Sequence, residues 1–242
     1  MMKIGLVSDY SDCDVETNIT TILKYLNEYH HLDLLLFSEG FLQGFNSLTW
    51  VYEKDIQIAL SKDDKRLSPI KKVCQENNIA VGFGYYEKVG PLLYCSYMII
   101  DQNGTIINNY RRLSDGWKYL TKVTPNYRNG TKLLPFSLNG YRLLTVLCGD
   151  LWDDQIKEKV INVIAEENIN LLLWPNHLDY PREQFQNELP EYQHRSQGIK
   201  IPTLLVNDHS EFSHGGAVVF KDGNILNYLE VGKKAVLEFN LT

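Results

Sequence analysis

Tyr141-Arg142-Leu143-Leu144-Thr145-Val146-Leu147-Cys148-Gly149-Asp150-Leu151-Trp152-Asp153 is the stretch on which the reading of this chain turns. Its first part, Arg142 to Cys148, is an apolar-rich run of strand length without polar alternation, the pattern of a strand buried on both faces. It ends on a thiol, and Gly149-Asp150 begins a turn toward a helix expected over Gln155 to Glu167. A strand over Leu171 to Pro175, a helix over Arg182 to Lys200 and a strand over Thr203 to Val206 then follow. Strands alternating with helices point to parallel pairing, and ligands in such sheets bind at the C-terminal ends of strands. A thiol there, beside a helix N-terminus, is expected to have a lowered pKa. The Gly149 N–H is placed to face a developing oxyanion. A lone cysteine more often packs as a small buried hydrophobe, so Cys148 needs partners before chemistry is assigned to it.

Working outward, Lys3 to Ser8 reads as a strand and Val15 to Tyr29 as a helix, with Val15, Ile19, Ile22, Leu23 and Leu26 at helical spacing. Asp33 to Phe37 is a second buried strand, Pro69 opens a helix running to about Gln75, and Ile79 to Tyr86 returns to strand. Leu92 to Ile100 and Thr105 to Arg112 form a hairpin around Asp101-Gln-Asn-Gly104. Residues 113–131 are polar and irregular. Gly216 to Phe220, Ile225 to Leu229 and Ala235 to Phe239 close the chain as antiparallel strands. No linker or composition break divides it, which gives one α/β domain over residues 1–242. Two mixed sheets packed face to face, with helices outside, explain the many strands that are apolar along their whole length.

Hydrophobic residues make up 44% and charged residues 22%, with a net charge of −6. No basic cluster marks a nucleic-acid footprint, and no apolar run is long enough to span a bilayer. The start, Met-Met-Lys-Ile-Gly-Leu-Val, lacks the plan of a signal peptide, so a cytoplasmic protein without a membrane partner is expected. Four cysteines are too few for a disulfide framework. The six histidines show no metal-ligand spacing, and neither a dinucleotide fingerprint nor a phosphate loop occurs; no metal or cofactor is expected.

Two further places can carry chemistry. Glu39 stands at the end of the Leu34–Phe37 run, followed by glycines that allow close backbone approach; there it suits proton shuttling, although it can equally be a solvated charge. Tyr110-Arg111-Arg112-Leu113-Ser-Asp-Gly-Trp117-Lys118 puts cations after a strand, which in isolation reads as a solvated basic loop. Trp117, Trp152 and Trp174 fall beside these segments and can wall a pocket or pack in the core. Asn176, His177 and Asp179 follow Pro175 at another strand end.

Taken together, strand–Glu, strand–cation and strand–Cys in that order resemble the nitrilase superfamily. Phe37-Ser38-Glu39 with Gly44-Phe45 is similar to its first motif, and Cys148-Gly149-Asp150 to its Cys-x-Asp. Gly82-Phe-Gly-Tyr-Tyr-Glu87, Asn103-Gly104 with Tyr110-Arg111, Leu173-Trp174-Pro175-Asn176, Arg195-Ser196 and Gly215 to Gly223 resemble the family's intervening and later segments. The resemblance implies a four-layer α-β-β-α sandwich, a homodimer, and a Glu–Lys–Cys triad that hydrolyses a non-peptide C–N bond in a small amide. The family's lysine follows Tyr-Arg directly, where this chain has Arg112; the nearest lysine is Lys118. A compact ammonium suits a small oxyanion, which favours Lys118, with Arg112 as the other candidate. The family's asparagine in Tyr-Asn-Ser is Cys95 here, and no glutamate follows between Ser114 and Gly130. N-carbamoyl or N-acyl hydrolysis, and a non-catalytic protein with a degenerate triad, are the alternative functions.

Overall fold

The unbroken apolar runs become two six-stranded sheets. A computed structural model describes residues 1–242, apart from the side chains at positions 182, 183, 185 and 186. The first sheet takes β1 (Met2–Ser8), β2 (Leu34–Leu36), β3 (Ala80–Val89), β4 (Leu92–Ile100) and β5 (Ile106–Arg111). The second takes β6 (Phe136–Leu138), β7 (Tyr141–Thr145), β8 (Leu171–Pro175), β9 (Thr203–Val206), β10 (Ala217–Lys221) and β11 (Asn224–Leu229). The last strand, β12 (Ala235–Leu241), leaves the second sheet and pairs antiparallel with β1, giving the orders β12-β1-β2-β3-β4-β5 and β11-β10-β9-β8-β7-β6. In both sheets the three strands joined by helical crossovers are parallel and the flanking hairpins are antiparallel.

Strand parity explains the sequence pattern. Leu34 and Leu36 of β2, and Leu171 and Leu173 of β8, join Ile4, Leu6, Leu204 and Val206 in the layer between the sheets. Leu35 and Phe37 face α1 (Val15–Glu28) and α3 (Ser68–Asn77) on the outside, meeting Ile19, Ile22, Leu26 and Ile70. Leu172 and Trp174 face α4 (Asp154–Glu166) and α5 (Arg182–Ser196), meeting Ile156, Val160 and Tyr192. Residues on both faces of these strands are therefore lost to water, and the four-layer sandwich follows.

The structure adds α2 (Tyr52–Ile58) and β6, which are too short to announce themselves by periodicity. It also shifts two boundaries that matter. α5 stops at Ser196, and Gly198 at φ +85° turns the chain before Lys200. β7 stops at Thr145, so Cys148 lies past the strand and opens a 3₁₀ turn over Cys148–Trp152; α4 begins only at Asp154. Among the described residues no helix is long and apolar enough to cross a membrane.

Candidate active site

Each member of the site follows the C-terminal end of a strand. Glu39 lies just beyond β2, where Phe37 N–H donates to Gly82 O at 2.8 Å and Gly84 N–H to Ser38 O at 3.0 Å, continuing the pairing with β3. Its own N–H donates to Asn176 O at 3.3 Å, tying the first sheet to the second. Arg112 follows β5, its N–H bonded to Cys95 O at 2.9 Å. Cys148 follows β7 in the opposite sheet.

Glu39 and Arg112 meet directly. Arg112 Nη1 donates to Glu39 Oε1 at 2.8 Å, and both side chains are almost wholly buried. Cys95 Sγ donates to the same oxygen at 3.3 Å. The other oxygen, Oε2, is buried without a hydrogen-bond partner. Arg112 Nε donates to Ser114 Oγ at 2.9 Å. Burial works against the charge on Arg112, but Glu39 first, then Cys148, Asp150 and Cys95, more than offset it and keep the guanidinium ionised. Burial, with Glu39 adding to it, holds the Cys95 thiol far above its usual range, so it is a neutral donor.

Lys118 is elsewhere. Its Nζ pairs with Asp115 Oδ1 at 2.6 Å, three residues back in the same turn, and lies 5.9 Å from the Trp117 ring centroid. Of the two candidate cations, geometry joins Arg112 to Glu39 and leaves Lys118 outside the cavity lining described below. Arg111, one residue before Arg112, belongs to a separate cluster: its Nε and Nη2 bond to the buried Glu87 at 2.7 and 2.8 Å, and it stacks 4.1 Å over Tyr94.

Cys148 sits at φ +34°, in the left-handed region that a non-glycine residue enters only when its surroundings hold it there. Trp174 Nε1 donates to its carbonyl at 2.8 Å, and its Sγ contacts His177 O at 3.9 Å. The expected lowering of the thiol pKa is not what the site provides. Burial, with Glu39 adding to it and Arg112 pulling the other way, pushes it up to about 12. A short 3₁₀ turn has little dipole to oppose that burial. The resting group is a protonated thiol.

Asp150, quoted in the cysteine motif but given no role by the sequence, is what holds the two sheets' contributions in register. Its Oδ1 accepts from the consecutive amides that follow Arg112, Leu113 N–H at 3.0 Å and Ser114 N–H at 2.8 Å. Its Oδ2 accepts from Tyr110 O–H at 2.6 Å and Leu147 N–H at 2.9 Å, next to Cys148. One buried carboxylate thus links the Arg112 segment to the Cys148 turn.

A cavity of about 300 Å³ opens over the thiol, lined by Phe45, Arg112, Gly116, Cys148, Trp152, His177, Leu178, Asp179, Tyr180 and Tyr192. Of the residues proposed from the sequence to bind substrate, Trp152 and His177 line this cavity. Trp117 instead packs on Tyr86 and Tyr127 and donates to Asn129; Trp174 and Asn176 lie buried behind the cavity, supporting Cys148 and Glu39 through the bonds above. Gly149 approaches the guanidinium rather than the lining. No pattern in the sequence marked Asp208, whose Oδ1 lies 2.9 Å from His177 Nδ1. Asn46 Nδ2 stands 3.3 Å from His177 Nε2 and Phe45 stacks on the ring at 4.4 Å, so the neutral ring carries its proton on Nδ1. Burial favours the neutral ring, but Asp208, with smaller help from Glu39 and Asp179, leaves the His177 pKa above 6.5.

The carbon–nitrogen hydrolase family model matches residues 4–157. An aliphatic nitrilase from Rhodococcus rhodochrous is 26% identical over 175 residues, covering 67% of this chain and 44% of the nitrilase. A cyanide hydratase from Stereum hirsutum is 22% identical over 174 residues, 67% of this chain and 46% of the hydratase. The chain thus spans less than half the length of these relatives. Among solved structures, an amidase from Nesterenkonia sp. AN1, bearing a Michael adduct of acrylamide on its active-site cysteine, superposes with a TM-score of 0.80 at 19% identity, covering 100% of this chain and 94% of that one. A CN-hydrolase superfamily protein from Xanthomonas campestris gives 0.82 at 15% identity, covering 100% and 90%. These likenesses extend the fold over the whole chain, and the family match covers more than half of it: the chain belongs to the carbon–nitrogen hydrolase family.

Proposed function

We propose that this chain hydrolyses the C–N bond of a small amide through an acyl thioester on Cys148, with Glu39 as proton carrier and Arg112 as the cation of the triad. The observation that carries this is the asymmetry of Glu39. Oε1 is occupied by Arg112 and Cys95, while Oε2 is buried and unpartnered, free to hold a proton. In this reading Oε2 takes the Cys148 proton as sulfur bonds to the carbonyl carbon. The oxygen, now negative, is held by Arg112. The C–N bond breaks as Glu39 returns the proton to nitrogen, and the amine leaves. Glu39 then takes a proton from water, whose oxygen attacks the thioester; the thiolate departs and recovers that proton.

The cavity supports a small substrate with an apolar acyl part, since Phe45, Trp152, Leu178, Tyr180 and Tyr192 supply half of its ten lining residues, beside the polar Arg112, Cys148, His177 and Asp179. An aliphatic nitrile is the second substrate class, favoured by the similarity to the Rhodococcus nitrilase. Ammonia release measured over short amides, N-carbamoyl amino acids and aliphatic nitriles separates the classes. Cys148→Ala is expected to abolish release from every substrate that the parent turns over. Turnover surviving in that variant would sink the reading.

A further inference from the structure

The cation of this site is an arginine, and the chain around it is cut to the shape of a guanidinium. Nε is bonded to Ser114 and Nη1 to Glu39. The third nitrogen, Nη2, lies against two backbone segments from different parts of the chain. A Cβ on Gly149 would stand 2.3 Å from Nη2, and a Cβ on Gly116 would stand 2.7 Å from it; both separations are shorter than real side chains tolerate. Neither glycine has a left-handed φ, so backbone conformation does not call for glycine at either place. What both positions need is the absence of a side chain. Gly116, Arg112 and Cys148 also share the cavity lining, which puts this clearance beside the nucleophile.

We propose that Gly116 and Gly149 form a slot that admits the planar guanidinium of Arg112, and that Nη2 in this slot is the donor to the substrate oxygen, making the site one that lysine does not complete. The proposal rests on the hydrolase reading above and sharpens it. A guanidinium is a rigid fork: one arm fixes the base and another faces the substrate at a set angle. An ammonium on a flexible stem at position 112 would lose the Ser114 bond and could not hold Glu39 and a substrate oxygen in the same plane. Gly116 and Gly149 are therefore positioning residues, acting through Arg112.

The test compares Arg112→Ala, Arg112→Lys and Gly149→Ala in the full chain, with thermal melting to confirm folding. Two readouts are taken: ammonia release, and the pH profile of Cys148 alkylation by iodoacetamide. Arg112→Ala is expected to lower kcat by about 10²- to 10³-fold. Added guanidinium or ethylguanidinium, at millimolar and non-denaturing levels, should restore part of that loss, and ethylammonium should not. Arg112→Lys should stay close to the alanine variant. Gly149→Ala should lower kcat more than it raises KM, and move the alkylation profile toward that of Arg112→Lys. Full turnover in Arg112→Lys, or equal rescue by ethylammonium, overturns the slot. If the parent hydrolyses nothing in the panel, the hydrolase reading fails separately. The slot is then judged by alkylation alone: a profile shifted to higher pH in Arg112→Lys and Gly149→Ala supports it, and unchanged profiles reject it.

Discussion

At Cys148 the proton stays on sulfur, because burial and the Glu39 charge outweigh the pull of Arg112. Of the residues around it, Cys148 and Glu39 were legible in the sequence, since each closes an apolar run. Which cation meets Glu39 was not, because Lys118 and Arg112 both follow β5 and chemistry alone favours the ammonium. The deciding feature is local: Asp115, three residues before Lys118, captures its Nζ, while Arg112 meets Glu39 across 73 residues of chain. His177 carries a pH signature at this scale. Its folded pKa lies above the 6.5 of the free side chain, so pairing with Asp208 adds stability that is fully present below pH 6.5 and is lost as pH rises through the folded value. Melting temperatures from about pH 5 to about pH 9 should therefore show a decline on the alkaline side that Asp208→Asn flattens. An identical decline in that variant would remove the dyad as its source.

Among the elements, the 3₁₀ turn at Cys148–Trp152 does more than connect β7 to α4. The sequence placed a turn there, leading into a helix over Gln155 to Glu167. The structure separates the two, with Asp153 capping α4 through the N–H groups of Gln155 and Ile156, and gives the turn its own anchor in Asp150. That anchor bonds to three backbone amides and one phenol; the Leu147 amide is three residues away, and the other three donors lie 36 to 40 residues back, beyond any local sequence pattern. Asp150→Ala leaves these donors without their acceptor in a buried place, which is expected to cost about 3 kcal/mol or more. Urea unfolding measures the loss, and turnover should fall with it because Arg112 and Cys148 are no longer tied together. Unchanged stability in this variant would mean that water replaces the carboxylate at no cost.

Across the whole molecule, the site is divided between the sheets. Glu39 and Arg112 belong to the first, and Cys148, His177 and Asp208 to the second. Their spacing is thus set by the leucine-rich layer that packs one sheet on the other. The apolar runs made that layer legible, and with it the four-layer plan. Which residues meet across it depends on crossovers such as β12 returning to β1, and no local pattern encodes these. Arg111 and Arg112 close the edge strand of the first sheet as neighbours, yet each serves a different buried glutamate on a different face. The chain therefore carries its own internal control. The same exchange of guanidinium for ammonium, made one residue apart, should give opposite phenotypes. Arg111→Lys should lower unfolding free energy by about 1 kcal/mol and leave kcat as it was, whereas Arg112→Lys should lose turnover. If the two variants behave alike, the arginines differ only in position and not in office.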